Sequence, residues 1–153
     1  MNTRAILISI LSILLFVCSC DKEEDEPTAQ PTIICFTDIG KGSLYGGGEE
    51  GIAQSNIVIT NTTDWQNLMN QMDSVNSVTD QFTETNIDFG NEMIIAVFLD
   101  VKENGWEVQL TDILENANNI VVSKSETEFV NSVINQPFHI VKIPKTSKPI
   151  IFE

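Results

Sequence analysis

Three cysteines, one histidine and a surplus of acids are the side chains of this 153-residue chain that could do covalent or proton-transfer chemistry. Cys18 and Cys20 form a C-x-C pair, which leaves a metal at least two ligands short of the usual four, and neither a CxxC nor a second histidine accompanies it. His139 stands in Pro137-Phe138-His139-Ile140-Val141-Lys142 with no HExxH neighbour and no G-x-S-x-G serine elsewhere. Its apolar, strand-like setting assigns it a structural role. Asp88 and Glu92 bracket Phe89-Gly90-Asn91 at a spacing open to a carboxylate pair, but acids leading into an apolar strand usually cap turns.

The glycine-rich run from Gly40 to Gly51 invites a phosphate-loop reading. A Walker loop needs a glycine five residues before its Gly-Lys pair; none is there, and a strand rather than a helix follows. Glu49 and Glu50 would repel phosphate. The run is expected to be a loop between strands, with partner recognition as its functional alternative. These readings predict a non-enzymatic chain without metal or cofactor.

The setting of Cys20 explains the pair. Met1-Asn2-Thr3-Arg4 carries one positive charge, and Ala5 to Val17 is apolar apart from Ser9 and Ser12. Thirteen apolar positions fall short of the roughly 20 that span a bilayer, and the layout is that of a secretory signal peptide. Val17-Cys18-Ser19 resembles a lipobox, with a small residue directly before the cysteine that becomes the lipidated N-terminus. The expectation is a signal peptide over 1–19, lipidated Cys20 with an acidic tether over 20–30, and one domain over 31–153. Two acyl signals hold where a single chain holds only marginally, so the anchor is expected to be permanent, and the lipoprotein resemblance implies the outer membrane as its site. Asp21-Lys22-Glu23-Glu24-Asp25-Glu26 suits a self-repelling tether. It also resembles the lipoprotein export signal of Bacteroidetes, which implies display at the cell surface; the alternative is the periplasmic face.

Loss of residues 1–19 leaves seven lysines against 22 acids, a net charge of −15, which argues against a nucleic-acid partner. Cys35 is then the only thiol of the folded part, so no disulfide can staple it. Its run, Thr32-Ile33-Ile34-Cys35-Phe36, predicts a strand with Cys35 buried as a small hydrophobe.

The elements that must position these groups are mostly strands, predicted at Thr32-Phe36, Gln54-Thr60, Met93-Val101, Trp106-Ile113, Asn119-Lys124, Phe138-Pro144 and Pro149-Phe152. The run Met93 to Leu99 lacks polar alternation and is placed as a central strand covered on both faces. Leu114 to Asn118 reads as a hairpin loop. One segment has a helical period: Trp65, Leu68, Met69 and Met72 fall on one face, with Thr63 and Gln66 as a capping box. The fold class is α+β, a mainly antiparallel sheet or sandwich of about seven strands with one amphipathic helix packed on it.

In order along the chain come Gly47-Gly48-Glu49-Glu50-Gly51-Ile52, Ile57-Val58-Ile59, Asp64-Trp65-Gln66-Asn67-Leu68 and Asp88-Phe89 through Glu92 to Ala96-Val97-Phe98. Asn104-Gly105-Trp106 and Pro137-Phe138-His139-Ile140-Val141-Lys142-Ile143-Pro144-Lys145 complete the series. This ordered set resembles the PrcB C-terminal domain family, named after a lipoprotein subunit of a cell-surface protease complex. Glu50 stands where that family has serine, and Asp100 and Asn104 stand where it often has glycine. The resemblance implies an accessory role in which a partner protease supplies the catalysis, and it carries over no catalytic residue.

The leading expectation is a surface lipoprotein that binds an extracellular protein, with a protease as the expected partner, through Tyr45, Gly47, Glu49 and Glu50 of the glycine loop and through Asn104 and Trp106. The alternatives are a glycan-binding lipoprotein and a protease inhibitor. Trp106 is either an exposed recognition aromatic or a strand residue facing the core. Asp73-Ser74-Val75 resembles the O-glycosylation signal of Bacteroidetes at Ser74, or is a plain turn at the end of the helix.

Overall fold

The computed structural model describes residues 30–153. Cys18, Cys20 and the acidic run lie outside the described residues. Among these residues the architecture is mainly β: two four-stranded sheets, mostly antiparallel, with one helix and a short 3-10 turn. The strands are β1 (Thr32–Ile33), β2 (Thr37–Leu44), β3 (Ser55–Ile59), β4 (Glu92–Phe98), β5 (Trp106–Glu115), β6 (Ile120–Glu128), β7 (Gln136–Pro144) and β8 (Ile150–Phe152). Helix α1 spans Thr62–Met72, and the 3-10 turn spans Val78–Gln81.

One sheet has the order β2-β7-β4-β3 and the other β1-β5-β6-β8. Among the described residues only the β6–β8 pair is parallel. The β2-β7-β4-β3 sheet lies in the middle of three layers, because successive side chains of a strand point to opposite faces and β4 is apolar at nearly every position. Ile94, Ala96 and Phe98 pack towards α1, while Met93, Ile95 and Val97 pack towards the second sheet. An unbroken apolar run is what a strand covered on both faces requires, and β4 is central as its sequence predicts.

Helix α1 buries Trp65, Leu68, Met69 and Met72, the stripe that the periodicity predicts. Its cap differs: Asn61, not Thr63, sits at the N-cap and accepts the Asp64 N–H at 3.0 Å. Trp65 donates its indole N–H to the Thr85 carbonyl at 2.8 Å and stacks on Phe82, with ring centroids 6.0 Å apart. Phe82, Phe138 and Phe98 continue this contact series into the middle sheet.

Two sequence expectations are corrected here. The stretch Gly40-Lys41-Gly42-Ser43-Leu44 is part of β2 and not of a loop. Gly40 suits that strand because the Phe82 ring lies over it: a Cβ there would come within 2.5 Å of the ring. Cys35 is exposed, not buried. Ile34 and Phe36 turn inward against the core between the sheets, and strand-like alternation sends the residue between them outward.

Candidate functional site

The groups best suited to chemistry are engaged in contacts within the fold. His139 is buried between the two sheets, where its Nδ1 accepts the Leu110 N–H at 2.8 Å. That bond fixes the neutral tautomer, so Nε2 carries the proton and donates to Asp38 Oδ1 at 2.9 Å. Burial holds the His139 pKa below its ordinary value, against the opposing pull of the Asp38 hydrogen bond and charge. Asp88 caps the turn before β4, accepting from the Gly90 N–H and the Asn91 amide. The Asn91 hydrogen bond, followed by that of Gly90, holds its carboxyl below the usual range. Glu92 pairs with Lys142 at 2.9 Å, and Glu84 meets the same amine at 2.7 Å. Asp88, Glu92 and His139 are thus each committed to a different structural contact.

The residues predicted for partner binding come together at one end of the molecule. The loop Tyr45–Gly51 follows β2, and the turn Asn104-Gly105 feeds β5 with two successive positive φ angles, 71° and 67°. Such angles suit Asn and Gly. A third segment, Phe129–Asn135, joins the two. Gly105 donates its N–H to the Val133 carbonyl at 2.6 Å, and Phe129 donates to the Gly105 carbonyl at 2.8 Å. On the other side Gly46 packs so closely on the Ile134 backbone that a Cβ would overlap its carbonyl, and a Cβ on Gly48 would lie 3.2 Å from Val101 Cγ2.

Asn135 fastens this arrangement. Its Oδ1 accepts the Trp106 N–H at 2.8 Å, and its Nδ2 donates to the Trp106 carbonyl and to Ser43 Oγ, both at 2.7 Å. One buried amide thus occupies the backbone groups of Trp106 and ties β5 to β2. Beside it, Gln136 Nε2 donates to the carbonyls of Ile52 and Leu99, holding the far end of the glycine loop.

Of the ten large apolar side chains exposed among the described residues, six belong to this end: Tyr45, Val101, Phe129, Val130, Val133 and Ile134. Val130 is fully exposed. Concentration of apolar groups in three touching loops departs from the single scattered residues that ordinary surfaces carry. Exposed Glu49, Asp100, Glu103 and Glu128 surround them. The nearby Lys102 amine is placed over the Trp106 ring, 5.1 Å from its centroid.

Four of the predicted residues, Tyr45, Gly47, Glu49 and Asn104, are exposed here. Trp106 is half-buried, with Lys102 over its ring. Glu50 is the correction: it is 3% exposed, and its Oε1 accepts the Tyr45 N–H at 2.9 Å, so it braces the loop from within. Ser74 lies elsewhere, exposed at the end of α1, with its hydroxyl donating to the Gln71 carbonyl at 2.8 Å. The Phe129–Ile134 segment was missed by sequence reasoning. Its signal was four apolar residues among Asn and Ser with no strand or helix period to bury them.

A groove of about 500 Å³ runs from this end along β2 towards the 3-10 turn, with Phe82 and Phe138 among its lining residues. Among the described residues no group of three His, Cys, Asp or Glu side chains could hold a metal ion, and no helix is long and apolar enough to cross a membrane. No family model, curated protein or solved structure matches the chain.

Proposed function

We propose that this chain is a cell-surface lipoprotein, anchored through Cys20, whose domain is a non-catalytic accessory module that binds an extracellular protein. A protease is the partner we favour, held or stabilised at the membrane, as the resemblance to the PrcB C-terminal family implies. The observation that supports binding is the apolar end formed by Tyr45, Val101 and the Phe129–Ile134 segment. An apolar centre with a charged rim is the anatomy of a protein interface. Residues 30–153 hold 17 acids against six lysines, and each lysine already has an acid, a carbonyl or an aromatic ring as neighbour. The partner surface is therefore apolar with a basic margin. A glycan platform would need open aromatic faces; Trp65 is buried and Trp106 has Lys102 above it, which leaves Tyr45 and Phe129 as the exposed aromatics of this end.

Two observations on cells test this reading. Cys20→Ser is expected to move the protein from the membrane fraction to the soluble one. Cross-linking of intact cells carrying a tagged copy is expected to recover one secreted protease in near-equal amount. Recovery of polysaccharide-uptake lipoproteins alone would transfer the reading to glycan capture. Loss of proteolysis on adding the purified protein would recast it as an inhibitor.

A further inference from the structure

The middle sheet ends in β2, which among the described residues has β7 on one side and no strand on the other. Which backbone groups face that open side follows from the register. Leu99 donates to the Pro137 carbonyl at 3.0 Å, so Pro137 faces β4, and its neighbours Gln136 and Phe138 face β2. Their cross-strand partners are Leu44 and Gly42, so the N–H and C=O groups of Lys41 and Ser43 point away from the sheet. Both ends of this edge are closed. The Ile39 carbonyl accepts the Thr83 N–H at 2.9 Å, and Tyr45 is bound through its N–H by Glu50 and through its carbonyl by Gly48. Between them, the backbone groups of Lys41 and Ser43 have no partner on that side among the described residues.

Sheet edges are ordinarily blunted by proline, charge or a bulge. Here the bulge lies at Ile39, before the open stretch, and the one charge, Lys41, is drawn to Glu107 at 2.7 Å. The groove lies directly beside the open backbone, lined by Val78, Phe82, Phe138, Val133 and Ile134. Gly42 sits over it. A Cβ there would meet the Phe138 ring at 3.7 Å, an ordinary contact, and Gly42 has no positive φ, so neither packing nor backbone conformation demands glycine. Its missing side chain leaves the aromatic floor open.

We propose that the Lys41–Ser43 edge pairs with an extended segment of a partner protein, which adds a fifth strand to the middle sheet and places alternate small apolar side chains in the groove. This deepens the binding reading above and rests on it. A strand satisfies the open backbone groups and fills the apolar groove together, the mode known as β-augmentation. The acid excess of residues 30–153 selects a neutral or basic segment and disfavours a second copy of this chain.

The probe is a capped hexapeptide of alternating valine and threonine with a lysine at each end, titrated into the purified, isotope-labelled full chain. Saturable binding is expected, with slowed amide exchange at Lys41 and Ser43. N-methylation of one alternate set of peptide amides is expected to weaken binding about tenfold or more, and of the other set far less, because only one set faces the edge. Lys41→Pro, which removes an outward N–H, is expected to weaken binding likewise, whereas Lys41→Ala, which loses only the ion pair, retains it. No binding at millimolar peptide, or binding indifferent to both methylated sets, overturns the proposal. On cells, a partner lost with Val130→Asp but kept with Lys41→Pro would overturn the strand pairing and leave the binding reading intact. A partner kept with both variants would overturn the binding reading itself.

Discussion

His139 has the residue type of a catalyst and the surroundings of a brace. Leu110 lies next to a bulge in β5, and its N–H finds the imidazole of the facing sheet in place of a strand partner. His139→Leu leaves that buried donor unpaired and is expected to destabilise the fold by about 1–3 kcal/mol, measured by denaturant unfolding. The pH dependence follows from the lowered pKa. The folded state resists a proton that the unfolded chain accepts below about pH 6.5, so stability is full above that pH and falls as pH drops towards the folded pKa. His139→Leu should flatten that slope; an unchanged slope would show that other groups carry it.

At this scale the sequence was only partly legible. The absence of partner motifs around His139 is what predicts a structural place for it. Glu50 was misread because nothing in a run of glycines and acids tells which carboxylate turns inward. Cys35 was misread although the alternation of Ile34 and Phe36 already contained the answer.

The elements separate along similar lines. Helix α1 and strand β4 were legible because their apolar spacing has a single solution, one stripe or two covered faces. Asn61→Ala is expected to cost about 1 kcal/mol through the lost cap, and Trp65→Ala about 3–5 kcal/mol through the emptied core; thermal unfolding of the two variants measures both. Strand β2 was hidden because glycine has poor strand propensity, and only the tertiary placement of Phe82 over Gly40 makes it suitable there. The Phe129–Ile134 segment was hidden for the opposite reason, being apolar but unburied. Gly46→Ala tests how these loops are joined. Its methyl would strike the Ile134 backbone, so the variant should lose stability and loosen the apolar end, seen as faster amide exchange from Val133 to Asn135. Unchanged exchange would mean that the two loops move independently.

For the whole molecule, the middle sheet is covered by helix α1 on one face and by the second sheet on the other, and the loops gather at one end. That end gathers six of the ten exposed large apolar side chains among the described residues, on a body whose acids outnumber its lysines almost threefold. This combination of an apolar end and an acidic body is what the proposed binding of a basic partner rests on. The most direct test is quantitative cross-linking on intact cells with tagged wild type and with a Val130→Asp, Ile134→Asp variant, both changed residues being exposed and outside either core. The account predicts one secreted protein recovered in near-equal amount with wild type, and at least tenfold less with the variant at unchanged surface abundance. Equal recovery with both, or no partner with wild type, would contradict it.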